Sequence, residues 1–328
     1  MDCLCSENMR QRLAKISLHI LKNRAKDEHG ADFPGTGSAY PSPHRGASAL
    51  VLRTDGECWM FDCGEGTQTQ IMKSHIRAGR ITKVFISHLH GDHVFGLPGL
   101  LCTVSLNMPP DSPQKLRCVD IYGPRGLRHF LRVTLGLTSS QLLFPYAVHE
   151  LEPTPDQSIE EGQLSREVTT ERGSLHPQEQ EGLSISLDHT SDSYLLFEDD
   201  RFEVRAFRLF HRVPSFGFCV QEKDRPGRLR TELLKELGVK PGPLYGRLKS
   251  GESLTLDSGR VVTPAEVLDE DIPGRKVCVL GDCSLFWAKP LYNCAWGRTF
   301  WFTKPRWEMS SRTKQWSTDT ALRRWQPL

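Results

Sequence analysis

The sequence predicts a fold of mixed α-helices and β-strands in one large domain, on three observations. Short apolar runs such as residues 83–87 have strand length and end near glycine or aspartate, which is typical of buried strands closed by turns. Stretches with helical spacing lie between them. The 328 residues, 38% hydrophobic and 25% charged, are enough for a sizeable core. No apolar run approaches about 18 residues, so we expect no membrane-spanning helix and no membrane partner.

The predicted elements begin with a hairpin near the N-terminus. Residues 48–53 and 58–61 are apolar strands on either side of the turn pair Asp55-Gly56. Upstream, residues 30–34 make a poor strand because Pro34 cannot donate to a ladder, so we expect the first strand to be weakened or missing. The other predicted elements are helices at 68–77 and 94–105, and strands at 83–87, 119–122, 202–210 and 276–280.

An N-terminal extension, residues 1–32, precedes the domain. Met9, Leu13, Ile16 and Ile20 fall at helical spacing among basic residues, which predicts one amphipathic helix. A mitochondrial targeting segment would have this pattern. Acidic residues at positions 2, 7, 27 and 28 are unlike such a segment and favour a surface helix or a disordered leader.

Cysteine usage and charge indicate an intracellular protein with local basic regions. The ten cysteines lack a disulfide-type spacing, which indicates a reducing compartment and hence the cytoplasm, the nucleus or both. The net charge is only +2, and residues 285–328 carry eight Lys/Arg against two Asp/Glu. The rest of the chain is close to neutral, so any RNA contact would be made by particular basic segments.

A dense group of metal-ligating side chains follows the apolar run at 83–87. His88 and His90 lie two residues apart at a strand end, so their side chains point the same way. Asp92 and His93 come off the turn at Gly91 and can face a second point nearby. The spacing suits two adjacent metal ions, and imidazole with carboxylate suits zinc, with manganese or iron as substitutes.

The same stretch resembles the signature of the metallo-β-lactamase superfamily, and its surroundings resemble the short form of ribonuclease Z, the tRNA 3′-processing endonuclease. The resemblance runs from about residue 33 to residue 284. It is carried by His88-Leu89-His90-Gly91-Asp92-His93, Gly35-Thr36-Gly37, Phe61-Asp62-Cys63-Gly64-Glu65-Gly66-Thr67, Gly96-Leu97-Pro98-Gly99-Leu100 and Gly281-Asp282-Cys283-Ser284.

The resemblance implies a four-layer αββα sandwich and a zinc-dependent endoribonuclease that removes 3′ trailers from precursor tRNA. A hydroxide between two Zn²⁺ ions would attack phosphorus. His211 would complete the first ion's set with His88 and His90, and Asp282 would bridge both ions. Asp92 would orient the water or take its proton. Asp62 would accept a hydrogen bond from a ligand imidazole.

The resemblance also implies where substrate would bind. His44 and Arg45 would contact substrate from a loop near the active site, although an ordinary Pro-rich surface turn explains them equally well. Residues 222–260 would be a protruding arm that grips the tRNA, in a homodimer. The arm residues assigned to substrate are Lys223, Arg225, Arg228 and Lys249. A solvated, charged helical hairpin remains the alternative for this segment.

Beyond residue 284 the resemblance ends, so we divide the chain into 1–32, a metallo-β-lactamase-like domain at 33–284, and an atypical tail at 285–328. The tail contains six of the seven tryptophans, and no histidine follows His211. The last histidine expected for the second ion is therefore missing, and one zinc instead of two is an alternative. We expect the tail to be loosely packed and to leave one sheet edge uncovered.

A catalytically impaired form that binds metal or tRNA is the competing function, and a thioesterase-type hydrolase is disfavoured by the basic arm.

Overall fold

The computed structural model describes residues 30–37, 39–42, 46–54, 56–107, 118–157, 175–256, 259–283, 299–303 and 321–323. The chain divides into two compact units. One comprises Met1–Phe197, Val204–Val220 and Val277–Leu328, and the other Glu198–Glu203 and Gln221–Lys276. The helix predicted within residues 1–32 lies outside the described residues.

The strands form two large sheets and one small one. In chain order they are β1 (Gly30–Gly35), β2 (Ala49–Arg53), β3 (Cys58–Phe61), β4 (Ile81–Phe85), β5 (Val119–Pro124), β6 (Tyr146–Leu151), β7 (Glu179–Gln180), β8 (Ser184–Ile185), β9 (Tyr194–Glu198), β10 (Phe202–Leu209), β11 (Ser215–Glu222), β12 (Leu254–Thr255), β13 (Val261–Val262), β14 (Lys276–Leu280), β15 (Thr299–Thr303) and β16 (Ala321–Arg323). The first sheet has the order β1-β2-β3-β4-β5-β6-β7, with β8 also paired to β6. The second has the order β16-β15-β14-β11-β10-β9.

The described helices are short and lie mostly between parallel strands. They are α1 (Thr67–Met72), α2 (Gly91–Val94), α3 (Leu97–Leu106), α4 (Leu127–Leu137), α5 (Thr231–Glu236), α6 (Pro243–Lys249) and α7 (Pro264–Val267). Strands β3 to β6 pair in parallel, and parallel neighbours need a crossover, which α1 to α4 provide. The helices predicted at 68–77 and 94–105 are therefore confirmed, with different ends.

Strand β1 corrects the expectation of a weak or missing first strand. It pairs antiparallel with β2 along Gly30 to Asp32 and again at Gly35, with a register irregularity between these positions. Pro34 falls within that irregularity, at the outer edge of the sheet. An edge strand does not need the missing donor, and an irregular position does not need it either. The proline penalty therefore does not apply here.

The two faces of the first sheet bury different side chains. Met60 and Val84 share an apolar core with Leu100 of α3 and Leu131 of α4. The neighbouring residues of the same strands point the opposite way, as strand geometry requires. Phe61 and Phe85 stack at 4.8 Å between ring centroids.

These aromatic side chains meet the second sheet. The ring of Phe218 on β11 lies 5.4 Å from that of Phe85 and 5.9 Å from that of Phe61. Trp59 packs edge-on against Phe197 of β9 at 5.5 Å. The two sheets therefore pack face to face, with helices on the outer face of the first. The predicted sandwich is confirmed, and the described residues supply three of its four layers.

The tail contributes backbone to the second sheet, contrary to expectation. β15 is the neighbour of β14, and β16 pairs antiparallel with β15. Residues 284–298, 304–320 and 324–328 lie outside the described ones. The tail was expected to leave one sheet edge uncovered, but β15 pairs with β14, because the edge of a strand can be completed by backbone pairing whatever the side chains are. The loose packing of the tail stays a prediction.

The second unit has its own small core. Leu234, Val239, Leu248, Val262 and Val267 are among its buried apolar residues, which come from α5, α6, α7, the β12–β13 pair and the segments between them. It is longer than the predicted arm at 222–260, since 198–203 and 261–276 also belong to it. Bidentate contacts of Arg275 with Glu222 at 2.7 and 3.1 Å join its two ends.

Across both units, the described helices are all too short or too polar to cross a membrane.

Candidate metal centre

Four of the six predicted ligands lie two to five residues beyond the ends of strands in the first unit, and Asp92 and His93 lie on the short helix α2 that follows His90. β4 ends at Phe85, three residues before His88. β10 ends at Leu209, two residues before His211, and β14 ends at Leu280, two residues before Asp282. The two sheets therefore deliver residues that are far apart in sequence to one place. Four of the six predicted ligands are buried, with His88 at 0% and His211 at 4% exposure.

Two overlapping groups of side chains could each hold a metal ion. In the first, ligand atoms of His88, His90 and His211 lie within 4.8 Å of one another. In the second, ligand atoms of His88, His93 and Asp282 do so. The Nε2 of His211 is 3.2 Å from Nδ1 of His90, and the Nε2 of His93 is 3.6 Å from Oδ1 of Asp282. The structure therefore brings together five of the six predicted ligands in these two groups.

The sixth predicted ligand, Asp92, lies at the margin of the cluster. Its Oδ2 is 3.6 Å from Nε2 of His93 and accepts a hydrogen bond from the backbone N of Ala39 at 2.8 Å. Asp92 belongs to neither of the two groups among the described residues. Its carboxylate is thus held by the loop after β1, beside the imidazole of His93.

Asp62 fixes the orientation of His93. Nδ1 of His93 is 2.6 Å from Oδ2 of Asp62, so Nδ1 donates to the carboxylate and Nε2 keeps its lone pair toward Asp92 and Asp282. Asp62 itself has φ 56°, in the left-handed region that costs energy for a residue with a side chain. Backbone and side-chain hydrogen bonds from Ser87 to its carboxylate, at 2.8 and 3.0 Å, hold it there.

Ser87 is a functional residue that the sequence reasoning missed. The Oγ of Ser87 donates to Oδ2 of Asp62 at 3.0 Å, and this Oγ is also 2.9 Å from Nδ1 of His88. A hydroxyl has one proton, so His88 Nδ1 must donate to Ser87 and its Nε2 is left as the acceptor. Ser87 and Asp62 together set the tautomers of two imidazoles. The signal in the sequence was only a serine directly before the first histidine.

Two glycines allow the segments of the site to approach. A Cβ on Gly64 would lie 2.1 Å from the carbonyl oxygen of Asp92, and one on Gly281 would lie 2.6 Å from Cβ of Ser87. Neither position has room for a larger residue. The close approach brings the turn after β3 and the end of β14 against residues 86–93, which we call the histidine loop.

The electrostatics of the site favour neutral imidazole. Burial lowers the pKa of His90, and the positive charge of Arg212 lowers that pKa further, against the opposite effect of Asp92. A neutral imidazole is the form that binds a metal. Burial raises the pKa of the nearby Cys63 thiol far above its ordinary value, so Cys63 stays protonated and is a poor ligand.

The residues present fit a zinc ion. Imidazole nitrogens and a carboxylate oxygen are typical zinc ligands, and the tautomers of His88 and His93 leave Nε2 of each available. The Oδ1 of Asp282 is buried and accepts no hydrogen bond from the described residues. A bound cation would offset the cost of burying the negative charge on that oxygen. Zinc would be held by His88, His90 and His211, with His93 and Asp282 beside them.

The substrate-binding residues predicted from sequence belong to the second unit or lie outside the described residues. His44 and Arg45 are among the residues that are not described. Lys223, Arg225, Arg228 and Lys249 belong to the second unit. Lys223 forms an ion pair with Glu198 at 2.7 Å. Their predicted roles are therefore arguments from charge alone.

We predict that Asp62→Ala weakens zinc binding by about 10-fold to 100-fold, which is typical when the partner of a ligand imidazole is removed. The loss of the acceptor at Nδ1 frees His93 to change tautomer and orientation. Zinc affinity would be measured by competition with a chelator. Asp120→Ala is the matched control. Like Asp62, Asp120 contacts a histidine, but that histidine is His149, at 3.3 Å, which is not a predicted metal ligand. Equal affinities of Asp62→Ala and the unaltered chain would contradict the assignment.

Comparison with known proteins identifies relatives of this chain. It is 59% identical over 252 residues to zinc phosphodiesterase ELAC protein 1 of Bos taurus, covering 77% of this chain and 69% of the relative. It is 58% identical to the Homo sapiens protein of the same name over 252 residues, with the same coverage. Ribonuclease Z of Bacillus subtilis is 36% identical over 253 residues, which cover 76% of this chain and 67% of that protein.

Structure and family comparisons agree with these relatives. The crystal structure of human tRNase Z, short form, matches with a TM-score of 0.53 at 44% sequence identity, covering 80% of this chain and 73% of that one. A family model described as anti-Pycsar protein Apyc1 matches residues 32–208, which include the histidine loop and stop short of His211. On identity, coverage and fold, this chain belongs to the short-form ribonuclease Z family, within the metallo-β-lactamase fold.

Proposed function

We propose that this chain is a zinc-dependent endoribonuclease that removes 3′ trailers from precursor tRNA. The observation that carries the proposal is the convergence of His88, His90 and His211 with His93 and Asp282 in a chain of this family. The competing proposal is a catalytically impaired form that binds metal or tRNA without efficient cleavage. The second group of ligands favours it, since His88, His93 and Asp282 are its members and Asp92 lies outside it.

The chemistry divides between the metal and the side chains. When bound, zinc would supply a Lewis acid for the phosphoryl oxygens and would lower the pKa of the attacking water. Asp92 would orient that water or take its proton, from a position fixed by the N–H of Ala39 and beside His93. Asp62 and Ser87 would hold the imidazoles of His93 and His88 in the tautomers that ligation requires.

The geometry bears on the number of ions. His88 belongs to both groups, but its Nδ1 faces Ser87, so its single remaining nitrogen can serve one ion. An ion with His88, His90 and His211 has three protein ligands. A second ion would then have His93, Asp282 and, after a small movement, Asp92. We therefore propose one firmly held zinc and one weakly held zinc per chain.

The second unit is the proposed tRNA-binding arm, in a homodimer. Its cations differ in availability. Arg230 and Arg247 are ion-paired with Asp269 and Glu252 at 2.9 and 2.7 Å. Arg228 and Lys249 are exposed, and among the described residues neither has an ion-pair partner. Phosphate contacts need flexible, unpaired cations on the surface, which favours these two. The compartment stays a prediction of cytoplasm, nucleus or both.

Cleavage of a precursor tRNA with a 3′ trailer tests the proposed function. Zinc-loaded protein is expected to release the trailer at one position, and a chelator is expected to abolish the reaction. Asp92→Asn keeps the shape and removes the charge, and we expect cleavage to fall about 100-fold or more while zinc is retained. Bound tRNA with no cleavage by the unaltered chain would favour the impaired form.

We predict that replacing both Arg228 and Lys249 by alanine raises KM for precursor tRNA and leaves kcat nearly unchanged. The log–log dependence of tRNA binding on salt should flatten by about one unit for each phosphate group that the variant no longer neutralises. Lys235→Ala is the control, because Lys235 is paired with Glu232 at 3.2 Å on the same unit. An equal rise in KM for the control would show that the rise comes from the loss of any positive charge on this unit, and not from the loss of Arg228 and Lys249 in particular.

A further inference from the structure

Gln157 is a buried polar residue that the proposed mechanism does not use. It ends the 3₁₀ turn Pro155–Gln157, after β6, and its side chain is 2% exposed. Its Nε2 donates to the carbonyl oxygens of Leu209 at 3.2 Å and Ser215 at 2.8 Å. Its Oε1 accepts from N and Oγ1 of Thr154 at 3.2 and 3.3 Å. The two carbonyls can only accept, so the orientation of the amide is fixed.

The two carbonyls stand at the two ends of the connection that carries His211. Leu209 is the last residue of β10, and Ser215 is the first of β11. One amide group therefore joins the start and the finish of residues 210–214. Buried carbonyls require donors, and the Gln157 amide supplies one proton to each. It comes from 52 and 58 residues away in the sequence.

Ser215 extends this contact to the other ligand segments. Its Oγ donates to the backbone carbonyl of Asp282 at 2.9 Å. The next residue, Phe216, donates its backbone N–H to the carbonyl of Ser87 at 2.9 Å, directly before His88. Gln157 thus anchors the start of β11, which in turn contacts the segments carrying Asp282 and His88.

We propose that Gln157 is a positioning residue for the metal centre, which acts by holding the His211 connection at the distance that lets His211 share an ion with His88 and His90. This inference rests on the proposed function, since it concerns the same ion. An amide suits the position because it offers two donors and two acceptors together. A carboxylate would set negative charge against two carbonyl oxygens, and an alkyl group would leave both without a donor.

Zinc affinity tests the proposal on the full chain. Gln157→Leu and Gln157→Glu are expected to bind zinc about 10-fold to 100-fold more weakly. Gln157→Glu keeps the shape and the acceptor, so it serves where the leucine variant fails to fold. Ser105→Ala is the matched control, because it removes a buried acceptor from the N–H of Leu143 and touches no ligand segment. Unchanged zinc affinity in a folded Gln157 variant would overturn the proposal.

A double-mutant cycle separates positioning from general stability. If Gln157 acts through His211, Gln157→Leu should change zinc affinity less than about twofold in a His211→Ala background, because interacting sites are not additive. An equal loss in both backgrounds would show that Gln157 acts elsewhere and would overturn the proposal.

Hydrogen exchange of the metal-free protein provides a readout that does not depend on zinc. Backbone amides from Leu209 to Phe216, apart from Pro214, should exchange about 5-fold to 30-fold faster in Gln157→Leu, as expected when the two hydrogen bonds to this connection are removed. Unchanged exchange would overturn the proposal. If the unaltered chain binds no zinc, the proposed function fails, and this measurement still decides whether Gln157 holds the connection.

Discussion

His88→Ala is expected to remove the firmly held zinc and to lower tRNA cleavage by about 1,000-fold or more. His88 is one of the three imidazoles proposed for that ion and is fully buried. Its loss removes a ligand directly, which costs more than the 10-fold to 100-fold typical of a partner behind a ligand. Zinc per chain would be measured by elemental analysis after gel filtration, and cleavage with a precursor tRNA.

His149→Ala is the matched control for this prediction. His149 is a histidine of β6 within the first sheet, and it stacks on Tyr122 at 4.6 Å and contacts Asp120. We expect this variant to keep its zinc and to cleave within about twofold of the unaltered chain, in line with a minor effect on packing. Full zinc content and activity in a folded His88→Ala protein would refute the metal centre.

The pair His211→Ala and Asp282→Ala should separate the two groups of ligands. His211→Ala removes one of three imidazoles from the firmly held ion, so we expect less than one zinc per chain and almost no cleavage. Asp282→Ala leaves that ion its imidazoles, so we expect one zinc to remain while cleavage falls about 1,000-fold, since the carboxylate facing His93 is gone.

Zinc content and cleavage are measured side by side for both variants, together with thermal unfolding of the metal-free proteins. Asp120→Ala is a control, because it removes a carboxylate on β5 of the first sheet, which contacts His149 and belongs to neither group of ligands. Equal zinc contents in His211→Ala and Asp282→Ala would contradict the assignment of one firm and one weak ion.

Features formed by residues close together in the sequence could be predicted from it, and features formed by residues far apart could not. The histidine loop is local, so spacing after a strand was enough to place His88, His90 and His93. His211 and Asp282 have no such pattern around them, and only the family resemblance selected them. Their roles stay predictions, although the structure brings both to the histidine loop.

The features that sequence reasoning missed all depend on tertiary contacts. Ser87 and Gln157 are ordinary polar residues until the strand ends around them meet. Pro34 was misjudged because a proline is harmful in the middle of a sheet and harmless at an irregular edge. Segments 198–203 and 261–276 were not included in the predicted arm, because that prediction used the distribution of charge. These segments belong to the second unit through packing contacts, which the distribution of charge does not indicate.

The wide separation of the ligands along the chain has a consequence for assembly. His211 and His90 are 121 residues apart and come from different sheets, so neither sheet alone can form the three-imidazole group. A partly synthesised chain that stops before the second sheet would lack His211 and could not form the group of three imidazoles. Zinc uptake should therefore coincide with docking of the two sheets. Because the ion binds only the folded form, it should raise the unfolding temperature of this unit as zinc concentration rises.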